Sequence, residues 1–552
     1  MLKLRFNRYI VLFPIFLFLI GCGDQLTETN VNPNAPNRVP VTTLLIKSQN
    51  SLIHHLRDKS YAGRSALVWM QYWAQTNYTN EDRYVFDENT NASRWSQIYL
   101  DLMDLKEIEE INADPQQRLE AALYGDSDNQ VAVARILKSW VFMVLTESYG
   151  PIPYYSYGNK SDDFQALGAR NKVVNPIYAD PQSVYLDILN ELREAADMIH
   201  EDKIAFSSGD NIYQGDARKW KRLANSLILR GALRISKVLP EVATEAIQKA
   251  LDSGVMQSND DSAFFTSDAV AANASPFYRA FAIDNRSDFA VAKPFVDLLK
   301  GVSGPFAQVD PRLYYFAAPI EAVAFASSGP QIIHKSYIPS ASDLLGSGTY
   351  QVDNYEGMPY GLESVFTSRI GIGATSLPNM PIQATFKNTI MGYSEVCLIL
   401  SEWNGWDDAY YKRGVAASLD RWGVTASNIN DYVALLSPAN EERVLTQKYI
   451  SLYMQPFNAW AEYRRTGYPK ILVKPGEVSF VDEKGVLNEE GETVKGKSYI
   501  FTSLAPDVQD DLPRRLRYSN KESLLNPSGY KKGLALLNGP DLMSTDIWWD
   551  ID

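Results

Sequence analysis

The stretch that decides the fold is GDARKWKRLANSLILRGALRIS, residues 215–236. Trp220, Leu223 and Leu227 recur there at spacings of three and four, which places them on one face of a helix. Asp216 stands directly before this pattern, and its carboxylate can accept hydrogen bonds from the first free backbone N–H groups of a helix. The stretch therefore predicts an amphipathic helix whose apolar face packs against other helices.

The residues before this stretch predict a second helix of the same kind. Asp180 can cap it and Pro181 suits its first turn, while Val184, Ile188 and Leu192 form its apolar stripe. Residues 41–254 contain several such patterns, joined by short polar turns. They predict a scaffold of helical hairpins, although no repeat of fixed period is present.

Three further segments, which differ in composition and periodicity, follow residue 254. Residues 255–387 form short segments rich in Gly, Pro and Ser with scattered aromatic residues, and long loops of this kind are commonly functional. Helical periodicity returns over 388–470, and 471–552 mixes short strand-like runs with turns. We therefore expect a mostly α fold over 41–552, with a loop-rich insertion that forms a ligand-binding side.

The N-terminus has the pattern of an export signal. Three basic residues precede an apolar run of twelve residues, 9–20, which is too short to span about 30 Å of hydrocarbon as a helix. The run ends in Leu-Ile-Gly-Cys, the form of a bacterial lipobox, which makes Cys22 the expected lipid attachment site. Residues 1–21 are thus predicted to be a signal peptide, and the Asn- and Pro-rich residues 22–40 a lipidated tether.

Charge and cysteine usage exclude some classes of protein. The formal net charge is −13, so a nucleic-acid partner is not expected, because phosphate binding needs a basic surface. Once Cys22 carries lipid, Cys397 is the single internal cysteine, and no disulfide framework is possible. Cys397 lies in an apolar helical pattern and is predicted to be an inert buried thiol.

No motif for catalysis stands out. The four histidines, which include the adjacent His54 and His55, lack the spacing of metal ligands, and no GxSxG motif is present. GETVKGKS, residues 491–498, matches a phosphate-loop pattern, but acidic residues precede it where a buried strand is required. A surface hairpin is the better interpretation. We expect no metal, no cofactor and no enzymatic activity, although paired carboxylates leave a glycan-cleaving enzyme as an alternative.

Five long stretches resemble the SusD-like (SusD/RagB) family of Bacteroidetes outer-membrane lipoproteins, and in particular its second sequence branch. They occur in the order of the family and cover much of the chain. The stretches are VARILKSWVFMVLTESYGPIPYYSY (133–157), YADPQSVYLDILNELREAADMI (178–199), GDARKWKRLANSLILRGALRIS (215–236), TQKYISLYMQPFNAWAEYRRTGYP (446–469) and LPRRLRYSNKE (512–522).

The resemblance implies a fold, a function and a partner. The fold is a scaffold of four tetratricopeptide-like helix pairs with loops laid over one side. The function is nutrient capture at the cell surface, at the outer membrane, for a SusC-like TonB-dependent β-barrel transporter that the lipoprotein covers as a lid. An oligosaccharide is the favoured ligand, while a peptide or another nutrient, and a role confined to closing the barrel, remain alternatives.

Ligand-binding residues are expected where aromatic side chains meet polar, loop-like sequence. Flat rings can stack on the apolar face of a sugar, and neighbouring amides can bond its hydroxyl groups. In WMQYWAQTNYTNEDRY, residues 69–84, Trp69 and Trp73 are predicted to share a helix face, with Trp69 in the core. The candidates are Trp73, Asn77, Tyr78 and Tyr84 in this stretch and Tyr337, Tyr350, Tyr355 and Tyr360 in the insertion.

Overall fold

Helices dominate the computed structural model, which describes residues 39–551 apart from 285, 287, 321–350, 372–373 and 486–493. The prediction of a mostly α fold is confirmed. The helices are α1 (Val41–Leu56), α2 (Ala66–Trp69), α3 (Glu88–Ala113), α4 (Gln117–Ala121), α5 (Ser127–Tyr149), α6 (Pro181–Met198), α7 (Ala217–Arg234), α8 (Pro240–Ser253), α9 (Pro276–Tyr278), α10 (Lys293–Leu299), α11 (Leu313–Phe316), α12 (Ser364–Ile370), α13 (Tyr393–Trp403), α14 (Asp408–Arg421), α15 (Ala426–Ala434), α16 (Glu441–Ser451), α17 (Pro456–Thr466), α18 (Glu522–Leu525) and α19 (Pro527–Ala535).

Short strands form three antiparallel pairs among the described residues. The strands are β1 (Trp73–Gln75), β2 (Ala263–Thr266), β3 (Phe289–Val291), β4 (Lys387–Met391), β5 (Val478–Asp482) and β6 (Lys497–Ile500). β1 pairs with β3, β2 with β4, and β5 with β6. Because β2 and β4 stand near the two ends of the loop-rich region, their pairing brings both ends of that region together on the scaffold.

Within the part of the chain that the structure describes, four helix pairs form the scaffold. α1 packs on α3, α5 on α6, α7 on α8, and α13 on α14, and neighbouring pairs meet where α3 contacts α5, α6 contacts α7, and α7 contacts α13. Gly231 eases the close approach of α6 and α7, because a Cβ there would lie 2.8 Å from the Leu189 Cδ2 atom and would force that side chain to shift. This row of pairs is the helical-hairpin arrangement that the sequence predicts.

The predicted helix starts are confirmed. The Asp180 carboxylate accepts from Ser183 N with Pro181 in the first turn, and the Asp216 carboxylate accepts from Lys219 N. At the other end of a helix, Gly467 has φ 67° and ends α17 in the left-handed conformation expected of a glycine there. Local capping chemistry thus fixes where these helices begin and end.

One predicted segment boundary and one predicted segment content differ from the structure. Residues 388–391, predicted as helix, lie in β4, and α13 begins only at Tyr393. The β-branched Thr389 and Ile390 favour this strand, and its pairing with β2 outweighs the helical pattern that follows. The tail, predicted as strands and turns, also contains α19, which the Asn526 side chain caps by accepting from Gly529 N.

The predicted hairpin in the tail is confirmed where the structure describes it. Lys497 and Ser498 of GETVKGKS lie in β6 and pair with β5, whereas residues 491–493 lie outside the described residues. A strand stands at the position where a phosphate loop would require the start of a helix. Cys397 is also buried, as predicted, with 1% of its surface exposed.

Buried ion pairs join the two halves of the chain. On α7, Arg230 Nε donates to Glu395 Oε1 at 2.7 Å, and Arg234 Nη1 donates to Glu462 Oε1 at 2.6 Å. Arg234 also donates from Nε to Glu147 Oε1 at 3.1 Å. These charge-assisted hydrogen bonds tie α7 to α5, α13 and α17.

Candidate functional site

The loop of residues 76–85 leaves the scaffold directly after β1. The preceding helix ends at Trp69, because Gln71 has φ 52°, in the left-handed region. The Gln71 amide holds this turn by donating to Val473 O at 2.7 Å and accepting from Val473 N at 3.0 Å. Trp73 then enters β1. The prediction that Trp69 and Trp73 share a helix face is therefore wrong.

Reciprocal hydrogen bonds close the loop at its base. Gln75 N donates to Asp82 Oδ2 at 2.8 Å, and Asp82 N donates to Gln75 Oε1 at 3.0 Å. Thr76 N donates to Asp288 O at 2.7 Å, which ties the loop to the residues before β3. Asp82 is 1% exposed, and burial raises the pKa of its carboxyl well above the ordinary range. The loop is thus anchored from inside the protein.

A bridge of charged side chains braces the same loop from outside. Arg64 Nη1 lies 3.3 Å from Glu81 Oε1, and Arg64 Nη2 lies 3.1 Å from Asp288 Oδ2. Glu81 Oε2 in turn accepts from Gln75 Nε2 at 2.9 Å. Since Arg64 contacts Glu81 within the loop and Asp288 before β3, it ties the loop to the residues that precede β3.

Tyr78 projects from this braced loop. Its side chain is 67% exposed, and it is the one aromatic residue among the large apolar side chains that are exposed in the described ranges. Its φ of 55° costs about 1–2 kcal/mol relative to an ordinary conformation. The next residue is fixed, because Thr79 N donates to Ser364 Oγ at 3.1 Å. Retained backbone strain beside an exposed ring is typical of ligand-binding loops.

The other aromatic candidates that the structure describes are buried, which corrects their predicted role. Trp73, Tyr84, Tyr355 and Tyr360 each have 0% of their surface exposed. Trp73 Nε1 donates to the Tyr453 hydroxyl at 2.8 Å. Protein atoms cover these rings, so the rings belong to the core and have no free face for a ligand.

Two of the buried rings meet a third beneath the loop. The rings of Tyr84 and Tyr360 lie edge-on to Phe501, with centroids 5.3 Å and 5.4 Å away. Burial raises the pKa of both tyrosine hydroxyls well above the ordinary range. The tail residue Phe501 therefore joins the end of the loop of residues 76–85 to the insertion.

The remaining predicted residues are placed as follows. Asn77 is half-buried beside Tyr78 and donates from Nδ2 to Thr76 Oγ1 at 3.5 Å. Cys22, Tyr337 and Tyr350 lie outside the described residues, and their predicted roles stay predictions.

Sequence reasoning missed the residues that hold the loop. Ser364 bonds Thr79 across 285 positions of sequence, and no local pattern marks such a contact. Beside it, Glu363 lies 3.7 Å from Arg83, and Val365 is 46% exposed. The segment of residues 363–365 thus forms a second wall next to Tyr78, with one carboxylate and one apolar side chain at its surface.

One group of described side chains has the composition of a metal site. Asp126, Asp128 and His200 lie close enough to share an ion. However, Asp126 caps α5 by accepting from two backbone N–H groups, and its Oδ2 accepts from Lys203 Nζ at 2.9 Å. These contacts and the Lys203 ammonium lower the pKa of Asp126 to about 2, although burial opposes them. The cluster is already satisfied by protein donors.

The row of helix pairs with irregular segments attached defines a mostly α-helical scaffold protein. No helix in the described ranges is both long and apolar enough to cross a membrane. The particular family follows from the sequence: residues 33–332 and 334–486 match the SusD-like family model described as "Starch-binding associating with outer membrane". The chain belongs to this SusD-like family. A search by sequence among curated proteins finds no match.

Solved structures share this fold over nearly the whole chain. A chitin-binding protein is 23% identical with a TM-score of 0.67, covering 93% of this chain and 100% of its own. A SusD homolog from Bacteroides thetaiotaomicron is 20% identical with a TM-score of 0.66, covering 93% and 99%. A chitin-binding SusD homolog from Flavobacterium johnsoniae is 21% identical with a TM-score of 0.63, covering 93% and 98%. At these identities the likeness concerns the fold.

Proposed function

We propose that the protein is a cell-surface lipoprotein that captures a nutrient glycan and delivers it to a SusC-like TonB-dependent transporter in the outer membrane. The observation that carries this proposal is Tyr78, an exposed ring held in a strained conformation on a braced loop. A ring fixed in this way can stack on a sugar without losing much conformational freedom on binding.

An oligosaccharide is the ligand that this surface suits best. Asn77 precedes Tyr78 in the loop, and the Glu363 carboxylate lies 3.7 Å from Arg83 at the end of the loop. Both side chains can bond hydroxyl groups, while the ring covers the apolar face of a sugar. The family description names starch, and two of the similar structures are named for chitin. One or two stacked rings and a few exposed hydrogen bonds give micromolar to millimolar affinity, which suits a protein that must release its ligand.

The anchor and the transporter complete the proposal. In this proposal Cys22 carries two or three acyl chains, and that number of chains holds a protein on a membrane firmly. Residues 22–40 then act as a tether with a reach on the order of 60 Å when extended. This arrangement lets the folded body stay beside a β-barrel and move above its opening. In this proposal the protein binds without turnover and needs no metal or cofactor.

Binding measurements on Tyr78 variants test the ligand and the site together. We expect one class in a panel of oligosaccharides to bind the protein without its signal and tether, measured by calorimetry. Tyr78→Ala should weaken binding by about 1–2 kcal/mol, or roughly 5- to 30-fold, because it removes stacking and ring burial. Tyr78→Phe keeps the ring and should stay within about twofold.

A matched control separates the site from general effects. Tyr410 is half-buried on α14, where Arg413 lies over its ring at 5.3 Å. Tyr410→Ala should leave binding unchanged. Equal binding by wild type and Tyr78→Ala would move the site elsewhere. Binding of peptides with no binding of any glycan would replace the proposed ligand class with the peptide alternative, and sugar cleavage in the same mixtures would contradict a non-enzymatic role.

The transporter partner needs a separate experiment. A native pull-down from detergent-solubilised outer membranes should bring down a large β-barrel with the C-terminally tagged wild type. The Cys22→Ala variant, which lacks the lipid site, should lose membrane attachment and recover much less barrel. If the lipidated protein reaches the outer membrane and purifies alone, the delivery step is wrong, whatever the glycan result.

A further inference from the structure

Arg57 is a buried cation that lacks a counter-charge. It follows the last residue of α1 and is 4% exposed. Its hydrogen bond to the protein runs from Nη2 to Thr389 O at 3.3 Å, and its Nε has no acceptor. Over the described part of the chain, no carboxylate oxygen lies within 4 Å of its nitrogens. A buried charge without a partner costs several kcal/mol, and an arginine stays charged.

A second guanidinium lies next to Arg57. Arg230 pairs with Glu395 through its Nε and Nη2 atoms at 2.7 Å each, and it also donates to Ile390 O. None of the hydrogen bonds that it makes to described residues uses Nη1. Because Glu395 neutralises Arg230, the pair of guanidinium groups keeps one positive charge in excess.

A small cavity separates these two side chains. It has a volume of about 10 Å³, the space of one water molecule or one small ion, and it lies where α1, α5, α7, β4 and α17 meet. Arg57, Arg230 and Gln455 line it together with Trp140 and apolar side chains of α5. Hydrogen-bond donors and positive charge thus face a space of the size of one small particle.

One carboxylate, that of Glu147, also lines the cavity. Its Oε1 already accepts from Arg234 Nε at 3.1 Å and from the Tyr185 hydroxyl at 2.8 Å. Burial lowers the pKa of Arg57 to about 10, with the Arg230 charge adding to this, so the Arg57 guanidinium is still charged at neutral pH. The Glu147 carboxylate is thus paired with Arg234, and among the described ion pairs none joins it to Arg57.

We propose that the cavity between Arg57 and Arg230 binds one small monovalent anion of the halide class, such as chloride. A water molecule can accept a hydrogen bond from Arg57 Nε but does not offset the charge, whereas a halide does both. The size of the cavity excludes sulfate and phosphate. The ion would link the end of α1 to β4 and to the start of α17, and so join the N-terminal and C-terminal halves of the scaffold.

Anomalous scattering locates the ion directly. Crystals of the wild-type protein soaked in sodium bromide should show a peak within about 3.5 Å of the Arg57 and Arg230 nitrogens. The same crystals in sodium sulfate should show none there. Absence of the peak at a bromide concentration of several hundred millimolar would overturn the proposal and leave a water molecule in the cavity.

Thermal unfolding gives an independent readout in solution. At equal ionic strength, the apparent Tm of the wild type should be higher in chloride than in gluconate, and the difference should saturate as chloride rises. The reason is that the ion binds the folded state. At a chloride concentration of ten times the Kd, the folding equilibrium constant rises about 11-fold.

Arg57→Met removes the charge from a side chain of similar length and should abolish the chloride effect. Arg193→Met changes an arginine on α6 whose side chain is 43% exposed, and this variant should keep the chloride effect. An equal response in all three proteins would contradict the site. If Arg57→Met does not fold, the bromide crystals still decide.

Discussion

Glu462 is the carboxylate on which the buried ion pairs between the two halves converge. Arg234 Nη1 donates to its Oε1 at 2.6 Å, Arg465 Nε reaches the same oxygen at 2.8 Å, and Lys448 Nζ lies 2.5 Å from its Oε2. Burial alone would raise the pKa of Glu462, but Arg465, Lys448 and Arg234 outweigh it and hold the pKa well below the ordinary range. We therefore predict that Glu462→Gln, which keeps the shape and removes the charge, destabilises the fold strongly.

The size of the expected destabilisation depends on which carboxylate partners Arg465, Lys448 and Arg234 retain in the variant. Removing one partner of a buried ion pair costs about 3–5 kcal/mol. Arg465 and Lys448 still have Glu402, at 2.7 Å and 3.4 Å. Arg234 still has Glu147 at 3.1 Å, so we expect the lower end, about 3 kcal/mol. Chemical unfolding followed by tryptophan fluorescence and circular dichroism measures the change in the free energy of unfolding.

A surface ion pair provides the control. Glu245 pairs with Lys249 on α8, and both side chains are more than half exposed. Glu245→Gln should leave the free energy of unfolding essentially unchanged, because water screens an exposed ion pair. If Glu462→Gln and Glu245→Gln differ by less than about 1 kcal/mol, the buried pairs do not hold the two halves together as argued.

Three further predictions concern the C-terminal part. Trp549 is 1% exposed, and Arg464 lies 5.1 Å from its ring centroid. Trp549→Ala should therefore lower the free energy of unfolding by about 3–5 kcal/mol in urea titrations. The control Leu524→Ala changes an exposed residue and should be nearly neutral. Burial raises the pKa of Asp550 to about 6, although Arg464 and Arg514 oppose this. The folded state then holds the proton more tightly than the unfolded chain, so stability should fall by about 3 kcal/mol as the pH rises from 4 to 6 and stay level above. Asp550→Asn should remove that part of the pH profile, and an unchanged profile would contradict the assignment. Gly467→Ala should cost about 1 kcal/mol by thermal unfolding, because alanine is strained at φ 67°; a neutral result would contradict the need for glycine there.

The scaffold was predictable because its signals are local. Asp180 and Asp216 precede apolar stripes of helical period, and the structure has α6 and α7 at those places with the two caps formed. Capping, proline position and periodicity all act within one or two turns of a helix, so a single sequence contains them.

The errors share a different cause. Residues 388–391 became a strand because β2 lies 120 or more positions earlier in the chain and pairs with them. Trp73 left its predicted helix because Gln71 bonds Val473, about 400 positions away. Contacts between distant segments override local preference, and nothing near these residues in the sequence signals them.

The candidate site was predicted only in part for the same reason. The stretch around Asn77 and Tyr78 was recognisable as aromatic and polar, and Tyr78 is exposed. The burial of the neighbouring rings could not be predicted in the same way. Tyr84 and Tyr360 are buried because they pack on Phe501, which is distant from both in the sequence. Composition identifies a binding loop, whereas the tertiary fold decides which of its rings faces solvent.

The most direct test of the proposed function is a crystal structure with the oligosaccharide that binds best in the panel. We predict that one sugar ring lies parallel to the Tyr78 ring at about 4 Å, with hydroxyl groups within hydrogen-bond distance of Asn77 or Glu363. A bound sugar on another face of the scaffold, with Tyr78 left in solvent, would contradict the account.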